Sequence, residues 1–145
     1  MFKKILIPTD GSELSGQAVK AAVEFARQSG SGIVALAVAG NLTAWACMGA
    51  GAGVDIRKLE QEIEDEAQQT VDDIAALARE NGVACESRVT RGAHPYEEII
   101  KISEEAGCDA IFMASHGRTG VEKLFLGSQT QKVLTMSKLP VLVFR

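Results

Sequence analysis

The sequence is short of the residues that mark several common protein classes. Its three cysteines, Cys47, Cys85 and Cys108, are odd in number, and no two stand in CxxC spacing. A disulfide framework or a zinc site is therefore not expected. Reduced thiols in a cytoplasmic protein are the simplest reading, with Cys85 and Cys108 near apolar strand positions that bury a small thiol. No apolar run is long enough to cross a membrane. Met1-Phe2-Lys3-Lys4 leads into only three aliphatic residues before Pro8, which is also too short for a secretory signal. With a net charge of −4 and no dense Lys/Arg cluster, a nucleic-acid surface is not expected. A P-loop GxxxxGK[ST] is missing. Gly49-Ala50-Gly51-Ala52-Gly53 begins like a dinucleotide fingerprint, but the third glycine position is Val54 and no strand directly precedes the run. No Ser-His-Asp arrangement and no metal-ligand spacing is present, so no catalytic residue and no protein metal site is assigned. Aromatic residues make up only 5% of the chain, which leaves the core to Ala, Val, Ile and Leu.

What is there alternates. The length of 145 residues fits a single domain spanning 1–145. Ile5-Leu6-Ile7 reads as a strand buried on both faces. Thr9-Asp10-Gly11-Ser12 supplies capping side chains for a helix with Ala18, Ala22, Phe25 and Ala26 on one side. Ile33 to Val38 is a second buried strand. Residues 39–55 form an Ala- and Gly-rich loop holding the only tryptophan, Trp45. A long helix from Ile56 to Asn81 follows. Its apolar stripe is Leu59, Ile63, Ala67, Val71, Ile74 and Ala78, and its acidic first half reads as a solvated outer face. Ala84 to Val89 is a third strand near the sheet edge. His94-Pro95 starts a helix with Glu97 and Glu98 in its first turn. Ala110 to Ala114 is the fourth strand, Ser128 to Ser137 a helix, and Pro140 to Phe144 the last strand. Strands alternating with helices predict a doubly wound, five-stranded, mainly parallel sheet covered by helices on both faces. Its ligand crevice should lie at the C-terminal strand ends, where the winding reverses.

Two stretches at such strand ends carry candidate chemistry. After the fourth strand, Gly117, Gly120 and Gly127-Ser128 can offer backbone N–H groups to phosphates, with Ser115 and Ser128 as hydroxyl donors and Arg118 and Lys123 as cations. The same glycines also suit an ordinary strand-to-helix turn. After the first strand, Asp10 can accept from ribose hydroxyls or cap the helix it precedes. His116 can donate to a phosphate or act as a general acid, or simply be positional, since no paired base or nucleophile is evident.

These residues resemble the single-domain universal stress proteins, and the resemblance covers essentially the whole chain. It rests on Ile5-Leu6-Ile7-Pro8-Thr9-Asp10-Gly11-Ser12, on Ile111-Phe112-Met113-Ala114-Ser115-His116-Gly117-Arg118-Thr119-Gly120, on Leu126-Gly127-Ser128 and on Pro140-Val141-Leu142-Val143. ATP-binding members carry Gly, two residues, Gly, nine residues, then Gly with Ser or Thr. Gly117, the nine residues from Arg118 to Leu126, and Gly127-Ser128 fit that pattern. The first glycine falls on Ala114.

The resemblance implies a Rossmann-like fold of the adenine-nucleotide α-hydrolase-like group. It implies a nucleotide site formed by Pro8, Thr9, Asp10, Val38, Ala114, Ser115, His116, Gly117, Arg118, Gly127, Ser128, Gln129 and Thr130. Asp10 would hold ribose, and Gly117, Gly127 and Ser128 would hold phosphates. The ligand would be ATP, or AMP or ADP, with Mg²⁺ bridging the phosphates. The protein would be a cytoplasmic homodimer paired through the Val141 to Phe144 strand, acting as a regulatory module in stress response. Two alternatives stand beside this reading. One is a slow ATP hydrolase using His116 to orient water. The other is a dimeric interaction protein that has lost nucleotide binding, with Ala114 as the mark of the loss.

Overall fold

The structure, a computed structural model, describes residues 1–42, 47, 49, 53–117 and 126–145. Trp45 and most of the loop around it, together with Arg118, Gly120 and Lys123, lie outside the described residues.

The elements follow one another as β1 (Lys4–Thr9), α1 (Glu13–Ser29), β2 (Gly32–Gly40), α2 (Ile56–Glu80), β3 (Cys85–Gly92), α3 (Pro95–Glu105), β4 (Ala110–Ala114), α4 (Ser128–Met136) and β5 (Val141–Phe144). The sheet order is β3-β2-β1-β4-β5, and every pairing is parallel. The expected doubly wound sheet is therefore present. The chain winds outward from β1 to β3, then crosses back to β4 on the other side of β1. That reversal puts the switch point between β1 and β4.

The aliphatic runs explain the layers. Ile5, Leu6 and Ile7 are all fully buried because alternate side chains enter opposite cores. Ile5 and Ile7 pack with Val19, Ala22, Val71 and Ile74 under α1 and α2. Leu6 packs with Val34, Ile99, Ile102, Ile111 and Val133 under α3 and α4. Each such side chain contributes roughly 1.5–3 kcal/mol on leaving water. Phenylalanines are few, yet they gather. Phe2, Phe25 and Phe144 all lie against Phe112, with ring centroids 6.2, 5.2 and 6.0 Å from it. This cluster joins β4 and β5 to α1, and no local spacing announces it.

Three expectations need correction. The stripe on α2 is buried only at Val71, Ile74 and Ala78, whereas Leu59, Ile63 and Ala67 are half-buried. A helix of 25 residues is about 37 Å long and overruns the nine-residue strand β2, which spans about 30 Å. Nor is the acidic first half only a solvated face. Arg91 of β3 pairs with Glu60 at 3.2 Å and with Glu64, fastening the overrunning turns to the sheet edge. The third strand is longer than its weak alternation indicated. It stays in register with β2 from Cys85 to Gly92, and it is an edge strand as expected.

Of the cysteines, Cys108 is buried, Cys85 half-buried and Cys47 exposed, and all are free thiols. Burial pushes the Cys108 thiol up to about 11 and raises that of Cys85.

Candidate functional site

The first wall of the crevice is the end of β1. Thr9 is buried, and its Oγ1 shares a hydrogen bond of 3.1 Å with Ser15 Oγ while accepting the Gly11 N–H at 3.2 Å. The chain turns sharply at Gly11, whose φ of 74° suits glycine. Ser12 caps α1, accepting from Ser15 N–H at 3.3 Å. Asp10 is not the cap. It is exposed, and its Oδ1 accepts the Ser12 N–H at 3.0 Å, an Asx turn that aims the carboxylate toward β4.

Val38 lies beside this turn on β2. Gly32 N–H donates to Lys3 O, and Ile33 N–H donates to Ala84 O. Successive residues of a strand present their main chain to opposite neighbours. The even-numbered residues of β2 therefore face β1. β1 pairs with β2 only as far as Thr9 opposite Ala37. The Val38 carbonyl thus faces the space beyond the last residue of β1, where the Gly11 N–H has turned away to Thr9 Oγ1.

The second wall is the end of β4. Ala114 is an ordinary strand residue, and among the described residues no non-glycine has a positive φ. An alanine therefore meets no conformational penalty where the glycine pattern begins. Ser115 is buried and committed inside the protein. Its N–H donates to Phe144 O at 2.7 Å, its carbonyl accepts the Gly127 N–H at 2.7 Å, and its Oγ lies 3.0 Å from His116 Nδ1. The serine thus ties β4, β5 and the returning loop together and orients the imidazole.

Both glycines of the pattern are places of close approach. A methyl group at Gly127 would press on His116 Cα at 3.2 Å and on Ser115 O at 3.3 Å. At Gly117 it would overlap the Asp10 Oδ2 atom outright and stand 3.2 Å from Asp10 Cγ. The two walls therefore meet at Asp10 and Gly117.

Gly127 also precedes α4 without a capping side chain. The first intrahelical bond is Gln131 N–H to Gly127 O at 3.0 Å. The N–H groups of Ser128, Gln129 and Thr130 thus stand at the helix start, where anions are favoured. Ser128 is exposed there. The side chains of Gln129 and Thr130 are used elsewhere. Gln129 Oε1 accepts the Tyr96 N–H at 3.0 Å and so caps α3, whose own N-cap residue His94 makes no side-chain cap bond. Thr130 is buried and donates its hydroxyl to Ala114 O at 3.0 Å.

The structure thus brings Pro8, Thr9, Asp10, Val38, Ala114, Ser115, His116, Gly117, Gly127, Ser128, Gln129 and Thr130 to one end of the sheet. Arg118 lies outside the described residues. Sequence reasoning missed Ser15, Tyr96 and Lys132. Lys132 Nζ sits 4.7 Å from the Tyr96 ring centroid, a second tie between α3 and α4. No local pattern signals these, because each partner lies on another element. A groove of about 290 Å³ opens beside the β1–α1 turn, between α1 and α2, lined by Thr9, Gly11, Ser12, Lys20, Thr70 and Asp73. Among the described residues no cluster of His, Cys, Asp or Glu could hold a metal, and no helix is long and apolar enough to cross a membrane.

With this geometry in hand, comparison with known proteins is decisive. The model of the universal stress protein family matches residues 1–145. The chain belongs to that family. Universal stress protein MJ0577 of Methanocaldococcus jannaschii is 31% identical over 156 residues, covering 100% of this chain and 96% of the relative. Its solved structure superposes with a TM-score of 0.83 at 32% identity, covering 99% of this chain and 96% of the other. A universal stress protein solved in complex with cAMP has a TM-score of 0.70 at 20% identity, with 99% and 97% coverage. One from Archaeoglobus fulgidus in complex with dAMP has a TM-score of 0.66 at 18% identity, with 99% and 98% coverage. At that identity these last two bear on the fold alone.

Proposed function

We propose that this universal stress protein binds an adenine nucleotide, ATP or AMP/ADP, in the crevice between the C-terminal ends of β1 and β4, and acts as a regulatory module in stress response. The observation that carries the reading is the juxtaposition of two complementary groups across the switch point. Asp10 supplies a carboxylate acceptor suited to ribose hydroxyls. The uncapped start of α4 supplies N–H donors suited to phosphates. The Val38 carbonyl, facing the space beyond β1, suits an exocyclic amine of a purine. Gly117, Gly127 and Ser128 line the phosphate side, with Arg118 following. The crevice these residues line has the same place in the fold as in neighbours that were solved with cAMP and dAMP, which share the fold.

Mg²⁺, where present, would be held through the phosphates. Homodimerisation in the cytoplasm completes the reading. β5 is one of the two edges of the sheet and Leu142 is 47% exposed, a strand suited to pairing with a second copy.

Calorimetric titration with Mg-ATP and with AMP tests this. Binding at one site per chain is expected, weakened tenfold or more by Asp10→Ala. Heats indistinguishable from dilution for every adenine nucleotide would sink the reading.

A further inference from the structure

We propose that Gly117 acts on nucleotide selection through Asp10, as a positioning residue for the ribose-binding carboxylate. This deepens the adenine-nucleotide reading and rests on it.

A glycine is required either where φ is positive or where something approaches too closely for a Cβ. Gly117 is not among the residues with positive φ. The requirement is therefore one of space, and the occupant of that space is the carboxylate of Asp10. Yielding would cost the carboxylate a hydrogen bond. Its Oδ1 is held by the Ser12 N–H at 3.0 Å, so swinging away from Gly117 would break the Asx turn that starts α1. Gly127 differs. The atoms crowding it are His116 Cα and Cβ and the Ser115 carbonyl, which belong to its own loop. Of the two glycines, one seats the loop on itself and the other seats Asp10 on the loop. A side chain at position 117 would drive the carboxylate out of reach of a ribose while leaving the helix start at Ser128 untouched.

The test is a double-mutant cycle read with two nucleotides. Wild type, Gly117→Ala, Asp10→Ala and the double variant are titrated with Mg-ATP and with Mg-2′,3′-dideoxy-ATP. Wild type should prefer ATP by about tenfold or more, the size of a hydrogen bond to a charged group. Gly117→Ala should lose that preference and fall to the level of Asp10→Ala. Adding Gly117→Ala to Asp10→Ala should change ATP affinity less than twofold. Thermal unfolding gives a second reading without nucleotide. Gly117→Ala should lower Tm in the wild-type background and leave it unchanged in the Asp10→Ala background.

Equal weakening of both nucleotides by Gly117→Ala, with the preference kept, would overturn the proposal. So would additive losses, or an equal Tm drop in both backgrounds. Wild type that binds neither nucleotide would overturn the adenine-nucleotide reading and this inference with it. Binding with additive variants would overturn this inference alone.

Discussion

Thr130, in the first turn of α4, donates its hydroxyl to the carbonyl oxygen of Ala114 at the end of β4, across 3.0 Å. The bond joins the strand that enters the glycine loop to the helix that leaves it. It fixes where the start of α4 stands relative to the switch point. Thr130→Val removes the donor and leaves the part-buried Ala114 carbonyl without this partner, at a cost of about 1 kcal/mol. Thr130→Ser should recover most of that loss. Urea unfolding of the three proteins measures it, and a Val variant as stable as wild type would contradict the role.

Gln129 stands one residue earlier with a different duty. Its side chain accepts the Tyr96 N–H at the start of α3. Gln129→Ala should destabilise the fold by about 1 kcal/mol, as loss of a helix cap does. Nucleotide affinity should move less than twofold, because the side chain faces α3 and only the main-chain N–H faces the crevice. A tenfold loss of affinity at unchanged stability would place the side chain on the ligand instead.

Thr90 offers the opposite sign. Its hydroxyl is buried and has no hydrogen-bond partner among the described residues. Thr90→Val exchanges that orphaned group for a methyl of similar shape. Stability should stay level or rise by up to about 1 kcal/mol. A loss larger than that in chemical denaturation would mean that the hydroxyl has a bound partner, such as a structural water.

Cys108 links pH to stability. Burial holds its thiol at about 11, against 9.0 when solvated. Between these values the unfolded chain has released the proton and the folded chain keeps it, so the unfolded state binds fewer protons. Stability is then unaffected by this group below about pH 9 and falls as pH rises through about 11. Cys108→Ala should flatten that alkaline decline. Thiol labelling at pH 8 should modify Cys47 in the native protein and reach Cys108 only on unfolding.

Much of the fold is legible from local pattern. Ile5-Leu6-Ile7 can be buried on both faces only in an inner parallel strand, and β1 is the middle strand of the sheet. The weaker alternation of β3 and the short apolar β5 both belong to edges. The stripe on α2 is less buried than its spacing indicates, because periodicity reports which face is apolar and not how far the sheet beneath it extends. The phenylalanine cluster around Phe112 and the tie from Arg91 to Glu60 and Glu64 were invisible, since their partners are far apart in sequence.

At the crevice the division is sharper. Spacing alone determined that Gly117, Gly127 and Ser128 gather after β4 and that Asp10 ends β1. It determined the order of strands and helices, and hence that a switch point exists, because apolar periodicity and capping residues are local properties of the chain. Only the tertiary structure decided what each residue does there. It gave the side chains of Gln129 and Thr130 partners on α3 and β4, joined Ser115 to β5 and His116, kept Ala114 in plain strand geometry, and set Asp10 against Gly117. The reason is physical: a side chain's role depends on which atoms lie within a few ångströms of it, and at a switch point those atoms come from segments that the chain order holds apart.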